Sequence, residues 1–405
     1  FIASTSGEGD PPDTVAGFVR RVLAGPAGLT DLRYGLLALG DRHYANFCAF
    51  GHRLDAWLAQ QGATPLFPRI EVDDADPTAL DTWRNALSTL TDGAALMAWN
   101  APDFAEFILA RRVELNPGSQ GEPVFHLELT PADGQMPHWR AGDIAEIQPR
   151  HAPATIARWL ALTGLDGEIR LGEETLAQRL AHSELPEPNN ATGHGAQQIA
   201  ETLTELHARD YSIASLPADG HLDLLIRQGR RPDGSLGLGA GWLTEHAAPG
   251  SAIAVRLRAN PNFRAPEDDV PLILIGNGTG LAALRALLRE RIAQGRHRNW
   301  LLFGERQREH DFHYRAELEA ALAQNQLEHL DLAFSRDTPE RVYVQQRLLE
   351  QAQRLTEWVA RNASIYVCGS QEGMAGGVDA ALRSSLGDAH MQRLIEAGRY
   401  RRDVY

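Results

Sequence analysis

The sequence predicts an α/β chain with a β-rich domain set into its middle. Three observations carry that reading. Short apolar strands alternate with amphipathic helical stretches over residues 1–95 and again from residue 270 to the C-terminus. That is the rhythm of parallel sheets covered by helices. Between 107 and 148, apolar residues run or alternate in strand-length segments, broken by Asn-Pro-Gly and Ala-Asp-Gly turns. The third observation is the stretch 270–290, VPLILIGNGTGLAALRALLRE. It reads as a buried strand over 270–275, the turn Gly276-Asn277-Gly278-Thr279-Gly280, and a helix from Leu281. A glycine turn that opens a helix directs backbone N–H groups at a phosphate. The spacing is G-x-G-x-G, not the G-x-G-x-x-G of dinucleotide folds, so the turn alone says little more than α/β.

At 405 residues the chain has room for two or three domains. A net charge of -14 argues against nonspecific binding to nucleic acid or anionic membranes and suits steering of a basic protein partner. Cys48 and Cys368 lie far apart and in different motifs, which argues against a disulfide framework or any metal site. A reducing, cytoplasmic compartment fits. No apolar run reaches the length of a membrane span, and no signal peptide is seen. The chain opens at Phe1, without Met and already in strand-like sequence, so we expect a longer polypeptide in which a membrane tether before Phe1 has a place.

In order, the patterns predict helices over 13–23, 46–60 and 81–90 and a buried strand over 34–39. Residues 96–106 read as a linker between a first domain, 1–95, and a β-domain, 107–267. Strands are expected over 107–115, 124–130 and 143–148. Helical periodicity returns over 151–207 as an insertion in the β-domain, interrupted by a Pro/Asn/Gly loop at 185–195. The last domain, 268–405, places strands at 270–275, 299–304, 327–335 and 364–368, with helices between them and one long helix from 341 to about 361.

Chemistry-bearing residues gather at the ends of these strands, where open α/β sheets bind ligands. Ser4-Thr5-Ser6-Gly7-Glu8-Gly9 and Leu39-Gly40-Asp41 through Tyr44, Asn46, Phe47 and Cys48 form two small-residue loops, with Tyr44 free to stack on a flat ring. Arg209-Asp210-Tyr211-Ser212 offers a bidentate cation for a pyrophosphate, a stacking face and a hydroxyl. After the 327–335 strand, Ser335, Arg336, Arg341, Tyr343 and Gln345 supply two arginines and neutral donors. That set suits an adenosine carrying an extra phosphate, and no acid stands at Ser335 or Arg336 to prefer a free 2′-hydroxyl. NADPH is therefore favoured over NADH.

These motifs resemble those of the NADPH-dependent diflavin reductases, over essentially the whole chain and in the right order. S-T-x-G-E-G-D-P-P at 4–12 and L-G-D-x-x-Y-x-x-F-C at 39–48 are similar to two loops of the flavodoxin-like FMN half. The family's phosphate-cradling first loop would precede Phe1. R-x-Y-S-I-A-S at 209–215 and Gly237-Leu238-Gly239-Ala240-Gly241-Trp242-Leu243 resemble the FAD barrel of ferredoxin–NADP reductase-like proteins, with Ala240 where a hydroxyl residue is usual. S-R-D at 335–337, R-V-Y-V-Q at 341–345, Y-V-C-G at 366–369 and the terminal R-Y-R-R-D-V-Y resemble the NADPH domain, with Ser370 where the family usually has Asp.

The resemblance implies α/β plus β-barrel architecture: a partial flavodoxin-like domain, an FAD barrel with a helical insertion at 151–207, and a doubly wound NADP-binding domain. It implies FAD, FMN and NADPH as cofactors and a heme- or iron-containing acceptor protein as partner. It places Ser4, Thr5, Ser6, Gly7, Glu8, Gly9, Leu39, Gly40, Asp41, Tyr44, Asn46, Phe47 and Cys48 at FMN. It places Arg209, Tyr211, Ser212, Gly237, Gly239, Ala240, Gly241, Trp242, Leu243 and Tyr405 at FAD. Gly278, Thr279, Gly280, Ser335, Arg336, Arg341, Tyr343, Gln345, Cys368, Gly369 and Asp403 fall to NADP. Ser212, Cys368, Asp403 and Tyr405 surround the hydride path, with Asp403 stabilising positive charge on the oxidised nicotinamide and Tyr405 covering the flavin ring. The readings set beside this one are a single-flavin NADPH reductase, the cytoplasmic part of a membrane-tethered ferric or heme reductase, and a non-catalytic flavin redox sensor.

Overall fold

The structure, a computed structural model, describes residues 1–5, 9–12, 15–42, 44–73, 76–90, 103–231 and 233–405. It divides into two compact units, residues 1–102 with 392–398, and residues 103–391 with 399–405.

In the first unit, β1 (Ile2–Ser4), β2 (Leu37–Gly40) and β3 (Ile70–Asp73) form a parallel sheet in that order. Helices α1 (Ala16–Arg21), α2 (Ala49–Gln60) and α3 (Pro77–Ser88) accompany it. One face of α2 packs Phe50, Leu54 and Leu58 against Ala3, Tyr34 and Leu36. Each such large apolar side chain contributes roughly 1.5–3 kcal/mol on burial. Helix α3 begins four residues before the start that periodicity predicts. The Asp76 carboxylate accepts the Thr78 and Ala79 backbone N–H groups, and Pro77 takes the first helical position, where its missing N–H costs nothing.

The second unit begins with six antiparallel strands: β4 (Ala105–Glu114), β5 (Val124–Pro131), β6 (Ile144–Ile147), β7 (Arg209–Ser212), β8 (Leu222–Arg227) and β9 (Ala252–Arg258). Their order is β7-β6-β9-β4-β5-β8. A bridge between Ile213 and Leu224 joins the two edge strands, so the sheet curls into a barrel. Leu109, Leu127, Leu129, Ile147, Ile213 and Leu224 fill it. Between β6 and β7 lie α4 (Pro153–Thr163), α5 (Leu176–Ala181), α6 (Pro188–Ala191) and α7 (Ala196–Ala200), with a small core of Ile156, Trp159, Leu176 and Leu180. The 185–195 stretch is thus not a loop throughout. Pro188 opens α6, and Ala191 is buried in the insertion's core.

The same unit continues, past the short helix α8 (Leu238–Gly241), into a parallel sheet. Its strands are β10 (Leu272–Asn277), β11 (Asn299–Glu305), β12 (His329–Phe334), β13 (Ser364–Gly369) and β14 (Tyr400–Val404), ordered β12-β11-β10-β13-β14. Helix α9 (Leu281–Ala293) follows β10 and is buried almost all round. Even Arg285 is enclosed: it donates to the Asp223 carboxylate at 2.9 Å and the Ala214 carbonyl at 2.8 Å, and meets Glu317 at 2.9 Å. A buried guanidinium is tolerable only when paired in this way. These bonds fix the barrel strand β8 against α9.

One expectation needs correction here, and one strand was not anticipated. The predicted long helix over 341–361 is two helices, α10 (Val344–Glu350) and α11 (Ala352–Ala360), because Gln351 departs from helical geometry with φ -105 and ψ 20. Residues 400–404, largely polar and without apolar alternation, form β14, which pairs in parallel with β13.

Candidate functional site

Two of the three glycines in the 276–280 turn serve packing. A Cβ at Gly276 would stand 2.6 Å from the Cys368 carbonyl oxygen, and one at Gly280 would stand 2.3 Å from it. Only glycine lets the end of β13 cross so close. Gly278 differs. Its φ of +57 is in the left-handed region, and its Cα faces Arg227 and Glu305. The turn's spacing is thus set by the neighbouring strand as well as by any ligand.

Beside this turn the second unit carries a cleft of about 1230 Å³. It gathers Tyr211 and Ser212 from β7, Gly278 and Thr279 from the turn, Ser335, Arg336, Tyr343 and Gln345 from the β12 end, and Asp403 and Tyr405 from the C-terminus. Residues almost two hundred positions apart meet there because β14 runs alongside β13, placing Asp403 opposite Cys368.

At one place in the cleft, Ser212 Oγ donates to Asp403 Oδ2 at 3.2 Å. Cys368 Sγ lies 4.0 Å from the same oxygen. Burial pushes the Asp403 carboxyl above its ordinary pKa, against the Ser212 hydrogen bond that favours the anion. Burial pushes the Cys368 thiol up as well, with Asp403 adding to it, so this cysteine is a neutral, compact wall and not a nucleophile. The Tyr405 hydroxyl bonds Thr279 Oγ1 at 3.1 Å. The residue as a whole is 59% exposed, yet its hydroxyl end is enclosed enough to raise the phenol pKa.

At the far end, the neighbouring Arg341 and Arg336 together hold the Tyr343 phenol below the ordinary range. Two cations on one exposed ring make a ready anion site. Arg336 is also fixed through its backbone N–H to the Arg306 carbonyl at 2.8 Å.

Other sequence-predicted residues stand elsewhere. Arg209 and the 237–243 turn lie beside Tyr211, outside the cleft lining: a Cβ at Gly239 would fall 2.7 Å from the Tyr211 hydroxyl and 2.8 Å from Arg209 Cγ. Gly237 caps α8, and Ala240 and Gly241 lie within it. The side chains of Trp242 and Leu243 pack in the barrel core, where α8 passes into a π-helical turn over Trp242–His246. Gly369, with φ +137, lies against Asn277, whose side-chain oxygen accepts from the Ser370 N–H at 3.0 Å. Sequence reasoning missed Arg227, Asn277, Glu305 and Arg306, which line the cleft. Each stands at or just past a strand's C-terminal end, the one signal that marks them.

In the first unit, the Thr5 N–H bonds the Leu39 carbonyl at 2.9 Å, and Thr5 Oγ1 accepts from the Phe50 N–H at 3.3 Å. Gly9, with φ +113, abuts Asn46, and Gly40 abuts the Cys48 backbone nitrogen, so Ser4, Thr5, Gly9 and Leu39, Gly40, Asp41 converge with Asn46 and Phe47. Tyr44 is 45% exposed, open to stacking. Cys48 is fully buried, with left-handed φ of 53 and its thiol directed to the Ala38 carbonyl. Ser6, Gly7 and Glu8 lie outside the described residues.

Comparison with known proteins agrees with this arrangement at both ends of the chain. Residues 1–85 match the flavodoxin family model, and residues 274–380 match that of the oxidoreductase NAD-binding domain. Over its whole length the chain is 30% identical to the sulfite reductase [NADPH] flavoprotein alpha-component of Vibrio vulnificus, covering 79% of that protein. It is 29% identical to the proteins of the same name from Vibrio cholerae and Bacillus subtilis, covering 79% and 81% of them. The chain belongs to the NADPH-dependent diflavin reductase family. This diflavin reductase is an oxidoreductase that uses FMN, FAD and NADPH and moves electrons from NADPH to flavin. The residues present fit such groups: Arg336, the left-handed Gly278 and the half-buried Ser212–Asp403 pair line one cleft, with Cys368 buried beside that pair. Among the described residues no helix is long and apolar enough to cross a membrane.

Proposed function

We propose that this diflavin reductase delivers electrons to a heme- or iron-containing acceptor protein in the cytoplasm, in the manner named for its relatives, whose flavoprotein component belongs to sulfite reductase. The flavins supply the conversion of a two-electron hydride into single-electron steps. The observation that carries the reading is the Ser212–Asp403 pair in the cleft, with Cys368 buried beside it. In this reading residues 1–95 hold FMN, 96–106 link, 107–267 hold FAD and 268–405 hold NADPH.

Within that scheme, Arg336, Arg341 and Ser335 hold the 2′-phosphate, with Tyr343 and Gln345 at the adenosine. Gly278, Thr279 and Gly280 approach the diphosphate through their backbone. Cys368 and Gly369 bound the nicotinamide face, and Cys368, being small and neutral, permits close approach. Asp403 lies where positive charge develops and is oriented by Ser212. Arg209, Tyr211, Ser212, Gly237, Gly239, Ala240, Gly241 and Tyr405 border the FAD site, while Trp242 and Leu243 support it from the core. Ser4, Thr5, Gly9, Leu39, Gly40, Asp41, Tyr44, Asn46, Phe47 and Cys48 form the FMN loops.

The test is rapid mixing of the flavin-loaded chain with NADPH. Loss of the visible flavin absorbance, followed by reduction of an added sulfite reductase hemoprotein, supports the reading. Flavin that stays oxidised refutes the enzyme, and flavin that bleaches without passing electrons on refutes the acceptor.

A further inference from the structure

Two charged residues that this scheme leaves unused meet beneath the glycine turn. Arg227 ends β8 and Glu305 ends β11, and the two form an ion pair. The Glu305 side chain is only 4% exposed. Both line the cleft, with Gly278 over them. A Cβ on Gly278 would stand 3.1 Å from Arg227 Nη2 and 3.4 Å from Glu305 Oε1. Arg227 Nη1 is buried without a hydrogen-bond partner. The Glu305 carboxylate also accepts the Arg306 N–H at 2.8 Å.

Glu305 is ionised at neutral pH. Burial pushes its pKa up, but neighbouring positive charge outweighs burial and holds it at about 2. His313, with its Nε2 3.9 Å away, and the paired Arg227 are the groups that lower it. A buried anion directly under a turn that receives phosphate would repel that phosphate. The guanidinium set between them removes the conflict, and its remaining donors suit phosphate oxygens.

We infer that Arg227 is the side-chain cation for the diphosphate of the nicotinamide dinucleotide, and that Glu305 limits how much of its charge the diphosphate receives. The inference rests on the reading of the cleft as the NADPH site. It assigns opposite effects to the two members of one ion pair. Neutralising Arg227 exposes the diphosphate to the Glu305 carboxylate, whereas neutralising Glu305 leaves Arg227 fully available.

Calorimetric titration of the purified chain with NADP⁺ and with adenosine 2′-phosphate, which has no diphosphate, tests this. Arg227→Gln is expected to weaken NADP⁺ about 10- to 100-fold, the range for hydrogen bonds to charged groups, and to leave adenosine 2′-phosphate unchanged. Glu305→Gln is expected to bind NADP⁺ more tightly. Wild-type affinity for NADP⁺ in Arg227→Gln, or an equal loss for both ligands, overturns the inference. So does Glu305→Gln binding NADP⁺ no more tightly than the wild type, and this arm decides alone should Arg227→Gln not fold. A wild-type chain that binds neither ligand instead overturns the reading of the cleft.

Discussion

Cys368 and Asp403 are direct partners across the parallel strands β13 and β14, with Sγ 4.0 Å from Oδ2 and Ser212 Oγ completing the group at 3.2 Å. Backbone hydrogen bonds, not a loop, hold this relationship. The carboxylate is therefore presented at a fixed height relative to the end of the strand that carries the thiol.

Asp403→Asn tests the carboxylate's charge. Loss of one preorganised electrostatic group is expected to slow flavin reduction by NADPH about 100-fold, as measured by stopped flow. The wild-type rate should rise with pH through a carboxyl pKa above the ordinary aspartate range, because burial raises it and the anion is the active form. That limb should vanish in Asp403→Asn. A limb that survives assigns the titration to another group. The same shift has a stability sign: a carboxyl with raised folded pKa stabilises the fold below that pKa and loses the contribution as pH rises through it.

Arg336→Ala is expected to raise KM for NADPH about 10- to 100-fold and to change KM for NADH little, since only NADPH carries the 2′-phosphate. Steady-state kinetics with both nucleotides reads this directly. Equal loss for both would remove Arg336 from the 2′-phosphate.

Tyr405→Ala removes a largely exposed ring whose hydroxyl is tied to Thr279. Use of NADH should rise and release of NADP⁺ should slow, because the ring no longer competes with nicotinamide. Thr279→Val, which cuts only the hydroxyl contact, should give a smaller change in the same direction. Unchanged nucleotide preference in Tyr405→Ala would count against a covering role.

Gly280→Ala would force a methyl group to 2.3 Å from the Cys368 carbonyl oxygen. Backbone must move, at a cost of about 1–3 kcal/mol in chemical denaturation. The displaced strand end carries Cys368, so flavin reduction should slow as well. A variant of wild-type stability would show that β13 yields freely here.

Much of the site was legible as local sequence. Arg336, Tyr343 and the glycine turn stood out because their residue types sit just past apolar strands, and the fold brings them to one cleft. Other features were hidden for physical reasons. Asp223 interrupts the apolar run of β8, and its burial depends on partners outside that run, above all Arg285 on α9. Trp242 and Leu243 sit in a motif that resembles a ligand loop, yet their bulk drives them into the barrel core. Gly276 and Gly280 read as phosphate-turn glycines, but their spacing answers to the Cys368 carbonyl.

By itself the sequence determined the order of strands and helices, the β-domain with its insertion, and the residue types at the strand ends, because periodicity and turn chemistry are local properties. The tertiary structure alone decided which distant residues meet. The polar C-terminal stretch has no strand pattern of its own, and only the open edge of β13 gives its backbone partners. Arg227 and Glu305 likewise become neighbours only when the barrel packs against the parallel sheet around α9, a long-range consequence of burying most of that helix's surface.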